Sequence, residues 1–201
     1  MADLTRADII KLIEVIQEGD RLNLSGLDLS ELDLSGANLY RVDLYGANLT
    51  KANLSGAKLY AADLTGANLE GVDLNRAYLG GAGLSEANLT NANLEGAELS
   101  NGYLAKTNLT NADLTNAVLT DANLEEADLT GANLSYANLT DANLYGANLS
   151  YSNLSGANLY RADLSGAKLY GANLRGASLY FTYLPANLEG VKGYTSYNPP
   201  E

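Results

Sequence analysis

Apolar residues recur along this chain with a period of five. Leucine occupies every fifth position from Leu24 to Leu184, thirty-three times without a break. The residue two before the leucine is alanine in 24 of these 33 units, and the residue between them is Asn or Asp in 24 of 33. A period of five fits neither the 3.6-residue repeat of a helix nor the alternation of a long strand. The pattern therefore predicts short extended segments joined by regular turns.

Each unit has an inward side, an outward side and a turn. We refer to the leucine as the central position, the residue two before it as the inner position, the residue between them as the outer position, and the two residues after the leucine as the turn pair. In extended backbone the inner and central side chains point to one side and the outer side chain to the other. Glycine fills the second turn position in 14 units and Asn in four more, and both tolerate a positive φ. These features predict a solenoid with leucine and alanine inside.

A helical pattern precedes the repeat. Thr5 and Asp8 have the spacing of a capping box, and Gly19 is a typical helix stop. Between them apolar residues fall at helical spacing, at Ile9, Leu12, Ile13 and Ile16. We therefore predict a helix from Thr5 to Glu18. Only the first three units carry leucine at the inner position, at Leu22, Leu27 and Leu32, which favours a helix that caps the first coil over the alternative, a helix that docks a partner.

The unit Ala-(Asn/Asp)-Leu-x-x, as in Ala37-Asn38-Leu39, resembles the pentapeptide-repeat family, and the resemblance covers Leu22 to about Leu188. It implies an all-β solenoid: a right-handed quadrilateral β-helix of about eight coils, with four units in each coil. From the period alone, a triangular coil of three units is the other closed solution. We divide the chain into an N-terminal capping helix (residues 1–20), a pentapeptide-repeat β-helix (21–188) and a C-terminal tail (189–201).

The phase of the repeat slips after Leu184. Pro185 is followed by Ala186-Asn187-Leu188, so the next leucine comes one residue early. Phe181 and Tyr183 are large residues close to this slip. They either close the final coil or form an apolar end that pairs with a second copy. Some members of the family dimerise through this end, and from the sequence a monomer and an end-to-end homodimer both stay open.

The composition argues against catalysis. The chain has no cysteine and no histidine, and its net charge is −12 at pH 7. It therefore lacks a thiol nucleophile and an imidazole base, and we expect no catalytic residue, no cofactor and no metal. The acidic balance argues against direct binding of nucleic acid or anionic membranes. Because the sequence shows no secretory signal and no membrane-spanning run, we expect a cytoplasmic protein.

Exceptions to the outer-position rule suggest a binding surface. If the coil has four units, outer residues four units apart form a column along the rod. One column then holds four consecutive exceptions, Lys58, Tyr78, Glu98 and Val118, and the adjacent column holds Gly83 and Tyr103. Tyrosine with scattered charge suits a protein interface. The candidate partner-binding residues are Tyr78, Glu98, Tyr103 and Val118, and drift of the repeat without a function is the alternative.

An acid-rich stretch lies between Lys106 and Arg161 and contains no base. Its acids, which we refer to as the acidic belt, are Asp113, Asp121, Glu125, Glu126, Asp128 and Asp141. Some pentapeptide-repeat proteins resemble a DNA duplex in width and charge and occupy the DNA-binding saddle of gyrase. This chain departs from one group of them because no loops interrupt its repeats. Solubility is the other explanation of the acidity.

The sequence thus predicts a noncatalytic scaffold or regulator that binds another protein through the faces of its solenoid. The alternative is a DNA-mimicking inhibitor or regulator of DNA gyrase or another type II topoisomerase. A third possibility is an engineered consensus solenoid with no cellular role. The irregular outer residues in the middle coils argue against it. The regular unit is similar to pentapeptide-repeat proteins that are abundant in cyanobacteria.

Overall fold

The chain forms a four-sided β-helix with one helix at its N-terminal end. The structure, a computed structural model, describes residues 4–15 and 20–194. Helix α1 spans Arg6–Val15, and the rest consists of single-residue parallel β-bridges. The bridges run from Asn23 with Asp43 to Asp163 with Tyr183, each joining outer residues twenty positions apart. Twenty residues are four units of five, so the predicted quadrilateral coil is observed and the triangular one is not.

Backbone hydrogen bonds hold each coil to its neighbours. The amide of each central leucine from Leu24 to Leu164 donates to an outer carbonyl of the next coil, as from Leu24 N to Asp43 O at 2.7 Å. The outer amide donates to an inner carbonyl of the preceding coil, as from Asp43 N to Leu22 O at 2.8 Å. A further bond closes each turn, as from Ala37 N to Leu34 O at 3.1 Å. These bonds satisfy the backbone of a buried tube without long strands.

Leucine and alanine fill the tube, as the sequence predicts. Every central leucine from Leu24 to Leu174 is buried. Two polar inner residues are buried as well, and their hydroxyl groups donate to carbonyls: Thr107 Oγ1 to Leu84 O at 2.7 Å, and Ser152 Oγ to Leu149 O at 2.7 Å. Across residues 4–15 and 20–194, no buried side-chain nitrogen or oxygen lacks a hydrogen-bond partner. The interior is therefore packed and satisfied.

The turns all adopt the left-handed conformation at their second position. From Gly26 to Phe181, every such residue has a positive φ, between 52° and 72°. Glycine and Asn fill 18 of these positions, and the others include Ala61 (φ 52°), Tyr136 (φ 59°) and Phe181 (φ 58°). The coil imposes this conformation on residues for which it costs about 1–2 kcal/mol. Glycine is thus favoured at the turn but not required there.

Helix α1 begins with the predicted capping box. The Thr5 amide donates to Asp8 Oδ2 at 3.0 Å, and the Asp8 amide donates to Thr5 Oγ1 at 3.3 Å. The Thr5 hydroxyl also donates to Asp8 Oδ2, and this bond, followed by the one from the Thr5 amide, holds the pKa of the Asp8 carboxyl below its usual value. The helix is described as far as Val15. The rest of the predicted helix, to Glu18, and its stop at Gly19 lie outside the described residues.

Helix α1 caps the first coil through one buried side chain and one arginine. Ile9 is fully buried in the same core as the leucines, and Leu22, Leu27 and Leu32 form the partly buried apolar floor beneath it. Arg6 donates to Asp33 O at 2.6 Å and to Ser35 O at 3.1 Å. Of the other apolar residues at helical spacing, Ile13 packs against the core, whereas Leu12 is 37% exposed.

Backbone pairing continues beyond the slip at Pro185. Val191 N donates to Leu188 O at 3.3 Å, which repeats the turn bond of earlier units. Lys192 then pairs with Asn173, nineteen residues before it instead of twenty. The last coil is therefore one residue shorter, and its pairing passes the boundary that the sequence predicts at residue 188.

Candidate partner-binding ridge

The twenty-residue register brings the outer exceptions together. Lys58 pairs with Tyr78, Tyr78 with Glu98, and Glu98 with Val118, so these four form one column. Gly83 pairs with Tyr103 in the next column. Eight of the nine outer exceptions lie on these two neighbouring faces, namely Lys58, Tyr78, Glu98, Val118, Ser178, Gly83, Tyr103 and Tyr183. The ninth, Lys168, lies on the face opposite the Tyr78 column.

One corner separates these two faces, and it carries part of the acidic belt. Asp121 and Asp141 occupy the same turn position in successive coils, and their amides donate to Thr140 O and Tyr160 O. Together with Tyr78, Glu98, Tyr103 and Val118 they form a band along the rod that we refer to as the ridge. From the sequence, the partner-binding residues and the acidic belt are two separate features. The twenty-residue coil makes them neighbours.

The ridge tyrosines are accessible. Tyr78 is 43% exposed and Tyr103 is 59% exposed. The Tyr60 ring stacks on Tyr78, with centroids 5.7 Å apart and an angle of 27° between the planes. Glu98 lies in the same column as Tyr78, and its Oε1 accepts a hydrogen bond from Ser100 N at 3.0 Å. The ridge thus combines an ordered aromatic pair with a carboxylate.

Three of the four outer residues of the ridge lack a hydrogen bond that other outer residues make. Elsewhere the outer Asn or Asp accepts the amide two residues later, as Asn48 Oδ1 does from Thr50 N at 3.2 Å. Tyr78, Tyr103 and Val118 have no acceptor that can form this bond. Glu98 retains it through its longer side chain. These substitutions cost the turn a hydrogen bond of roughly 0.5–1.5 kcal/mol each, so local stability does not explain them.

The rest of the acidic belt is dispersed around the rod. Asp113 and Asp128 are outer residues on two other faces, and each accepts a bond from the threonine two residues later, at 2.6 Å from Thr115 Oγ1 and 2.5 Å from Thr130 Oγ1. Glu125 and Glu126 form a turn pair on another corner. The belt therefore presents no single acidic face.

Flanking bases neutralise part of the belt. Glu126 Oε2 lies 3.7 Å from Lys106 Nζ, and Asp141 Oδ1 lies 2.9 Å from Arg161 Nε. Both pairs are on the surface, where such contacts contribute about 0–1 kcal/mol. Outside the belt, Asp63 lies in the same column as Gly83. Partial burial raises the pKa of its carboxyl, but hydrogen bonds from Thr65 and the nearby Arg21 guanidinium outweigh this effect and hold the pKa below its usual value.

An aromatic depression of about 330 Å³ lies at the C-terminal end. Its lining residues are Asp141, Tyr160, Arg161, Phe181 and Tyr183. Tyr160 meets Phe181 edge to face at 5.8 Å, while Phe181 is 76% and Tyr183 66% exposed. These two residues therefore lie on the surface of the final coil and do not close its core.

The described residues hold neither a candidate metal centre nor a membrane-spanning helix. Residues 4–15 and 20–194 contain no group of three or more acidic side chains arranged to hold a metal ion. In the same segments no helix has the length and apolar character that a bilayer crossing requires.

The sequence profile for pentapeptide repeats matches the chain in eight copies, over residues 23–59, 62–104, 97–135, 107–144 and 142–179. The chain belongs to the pentapeptide repeat family. Members of this family form right-handed quadrilateral β-helices, which is the architecture that the resemblance implies and that is found here. The family's coil, with its filled interior, presents outer and turn residues to solvent.

Solved pentapeptide repeat proteins resemble this chain. HetL from Nostoc sp. strain PCC 7120, described as involved in regulating heterocyst differentiation, is 31% identical over 94% of both chains, with a TM-score of 0.44. The Nostoc protein alr5209 is 38% identical over 60% of this chain and 83% of its own, with a TM-score of 0.25.

A third solved structure shows the fold alone. A trypsin-treated variant of QnrB1, described as a plasmid-mediated fluoroquinolone resistance protein, is 19% identical over 86% of this chain and 88% of its own, with a TM-score of 0.51. No curated protein matches the chain significantly in sequence.

Proposed function

We propose that this chain is a noncatalytic scaffold or regulator that binds another protein through the ridge. One observation carries the proposal: eight of the nine outer exceptions flank a single corner of an otherwise regular rod. Random drift would distribute exceptions over all four faces. The exposed rings of Tyr78 and Tyr103 supply the kind of side chain that dominates protein interfaces.

The regulatory part of the proposal has support from a relative. HetL, 31% identical over most of both chains, is described as involved in the regulation of heterocyst differentiation. An active site or ligand pocket inside the solenoid is also hard to accommodate, because leucine and alanine fill the interior. The cytoplasmic location stays a prediction from the sequence.

Replacement of ridge residues by Asn tests the proposal. Asn is the commonest outer residue, so Tyr78→Asn, Glu98→Asn and Tyr103→Asn remove the surface. At the two tyrosine positions Asn also restores the turn hydrogen bond, which Glu98 already makes. Immobilised protein is exposed to an extract of the source organism, and bound proteins are identified by mass spectrometry. We expect the triple variant to lose a specific partner that the unaltered chain and Lys168→Asn, on the opposite face, both retain.

Capture that is unaffected by the triple variant would contradict the ridge proposal. Unfolding in urea, followed by circular dichroism, controls for damage to the fold. The triple variant is expected to unfold at a urea concentration no lower than the unaltered chain. A lower midpoint together with lost capture would require each single replacement to be assayed alone.

DNA mimicry is the second candidate function. It is supported by the net charge of −12 and by a fold shared with QnrB1. The dispersal of the belt and the pairing of Glu126 and Asp141 with bases weaken it. A gyrase supercoiling assay at low and moderate salt tests it, because mimicry relies on long-range charge and inhibition should fade as salt rises. Unchanged supercoiling at micromolar protein would contradict it.

The homodimer through the C-terminal end also remains a proposal. The exposed Phe181 and Tyr183 support it, since they leave an aromatic surface at the last coil. Light scattering on size-exclusion fractions measures the mass of the particle. If the end pairs, Phe181→Asn with Tyr183→Asn should convert a dimer to a monomer, whereas a monomeric unaltered chain would contradict the proposal.

A further inference from the structure

We propose that the ridge binds an extended, arginine-bearing segment of the protein partner, laid along the rod axis. This inference rests on the proposed function, because it names the chemistry of the partner at the same surface. Three features of the coils from Tyr78 to Asp141 support it: acidic charge, exposed tyrosine rings, and carboxylate oxygens that are free to accept hydrogen bonds.

The ridge region is acidic and contains no base. From the coil of Tyr78 to that of Asp141, the outer and turn residues of the two faces and their shared corner include three carboxylates, at Glu98, Asp121 and Asp141, and neither Lys nor Arg. Bases flank this stretch at both ends: Lys58 pairs with Tyr78 in the preceding coil, and Arg161 contacts Asp141 from the following coil. Arg76 and Lys106, which are closer along the chain, lie on other corners. A basic segment is therefore the complementary occupant of this band.

Two of the three carboxylates keep binding capacity. Asp141 is engaged by Arg161 at 2.9 Å. Glu98 uses Oε1 for the Ser100 amide, which leaves Oε2 available. Asp121 is exposed and makes no side-chain hydrogen bond or ion pair within residues 4–15 and 20–194. Glu98 and Asp121 lie one coil apart on adjoining parts of the ridge.

The tyrosines favour arginine over lysine. A guanidinium group stacks on an exposed aromatic ring and at the same time donates a pair of hydrogen bonds to a carboxylate, which an ammonium group cannot do. Tyr78 is held by its stack with Tyr60, and Tyr103 presents most of its ring to solvent. Val118, in the Glu98 column, offers an apolar contact for the arginine stem.

The dimensions fit a short strand. Neighbouring coils are about 4.8 Å apart, so the three steps from the coil of Tyr78 to that of Asp141 cover about 14 Å. An extended peptide rises about 3.3 Å per residue, and side chains on one side repeat about every 6.6 Å. A segment of about five residues therefore spans the ridge with two arginines on the same side.

A labelled peptide provides the direct test. The probe is fluorescein-Gly-Arg-Gly-Arg-Gly-amide, whose binding to the full chain is followed by fluorescence anisotropy at low salt. Glu98→Asn with Asp121→Asn is compared with Asp113→Asn with Asp128→Asn. Each pair of substitutions removes two charges and places Asn where Asn occurs in other units, so the two variants differ only in where the charge is lost.

We expect the ridge variant to bind the arginine peptide about fivefold more weakly, the combined effect of two exposed charge contacts, and the other variant to bind within about twofold of the unaltered chain. The same peptide with lysine should bind about threefold more weakly than the arginine peptide. Equal weakening by the two variants would overturn the inference in favour of diffuse acidity, and equal affinity for arginine and lysine would overturn it in favour of charge alone.

The partner-capture assay separates this inference from the proposed function. If capture depends on Tyr78 and Tyr103 but the arginine peptide shows no preference for the ridge, the scaffold proposal stands and the inference about partner chemistry is wrong. If capture is independent of the ridge, the proposed function itself fails, whatever the peptide does.

Discussion

The ring of Tyr136 lies against Gly156, its counterpart in the next coil. A Cβ atom built on Gly156 would stand 2.6 Å from Cδ1 and Cε1 of the ring. Gly56 occupies the same turn column nearer the N-terminal end, and a Cβ there would meet nothing within 4 Å. Both glycines have a positive φ, 63° at Gly56 and 69° at Gly156. Alanine substitutions at these two glycines therefore distinguish the cost of backbone strain, present at both, from the cost of a steric clash, present only at Gly156.

We expect Gly156→Ala to destabilise the chain more than Gly56→Ala. At Gly56 the alanine has to adopt the left-handed conformation only, which costs about 1 kcal/mol. At Gly156 the Tyr136 ring must also leave its rotamer, which adds about 1 kcal/mol. Urea unfolding measures both changes. In a Tyr136→Ala background the two costs should become equal, because a Cβ on Gly81, one coil after Ala61, meets nothing within 4 Å. Equal costs without that change would contradict the prediction.

Ala61→Gly should stabilise the rod. Ala61 has a φ of 52° at a turn where many units have glycine, so glycine relieves strain of about 1 kcal/mol that exceeds its own entropy cost. The thermal unfolding midpoint is expected to rise. Ala62→Gly, one residue later at a buried inner position, is the control and should lower the midpoint. A fall in both variants would show that the turn carries no strain.

Replacing a buried leucine should cost much more stability than replacing a polar inner residue. Leu114 is fully buried at mid-rod, and Leu114→Ala should cost about 2–5 kcal/mol. Ser152→Ala should change stability by about 0.5 kcal/mol or less, because alanine is the usual inner residue and Leu149 O still accepts from the Ser152 amide at 3.1 Å. Chemical denaturation gives both values, and a large loss for Ser152→Ala would assign its hydroxyl a structural role.

Acid should release helix α1. The hydrogen bonds from Thr5 lower the pKa of Asp8 in the folded chain. A carboxyl with a lowered folded pKa contributes stability above its unfolded pKa, about 3.9, and loses it as pH falls through the folded value. Exchange of the Ile9 amide should therefore accelerate below about pH 4 relative to that of Leu114.

Two variants control for general acid unfolding. Asp8→Asn should remove most of the pH dependence of Ile9 exchange while leaving Leu114 exchange unchanged. The Asp33 carboxyl also has a lowered pKa, held down first by Ser35 and further by Arg6, so Asp33→Asn should remove the remainder. Unaltered pH dependence in both variants would mean that neither carboxyl anchors the helix.

The sequence alone determined the repeat, its inward leucines and the capped N-terminal helix. Leucine at every fifth position and alanine two residues earlier leave one way to bury both side chains, an extended segment followed by a turn. Thr5 and Asp8 specify a helix start because capping depends on residues close together in the chain. The pentapeptide-repeat resemblance rested on the same local pattern, and the family profile confirmed it.

Only the tertiary structure decided the number of sides and the composition of the ridge. A five-residue period closes with three units or four, and the choice became visible only in pairs such as Asn23 with Asp43, twenty residues apart. The shorter final coil, with Lys192 beside Asn173, likewise depends on packing against its neighbour. The register also places Asp121 on the corner between the Tyr78 column and the Tyr103 column. Residues this far apart in the chain become neighbours only when successive coils hydrogen-bond.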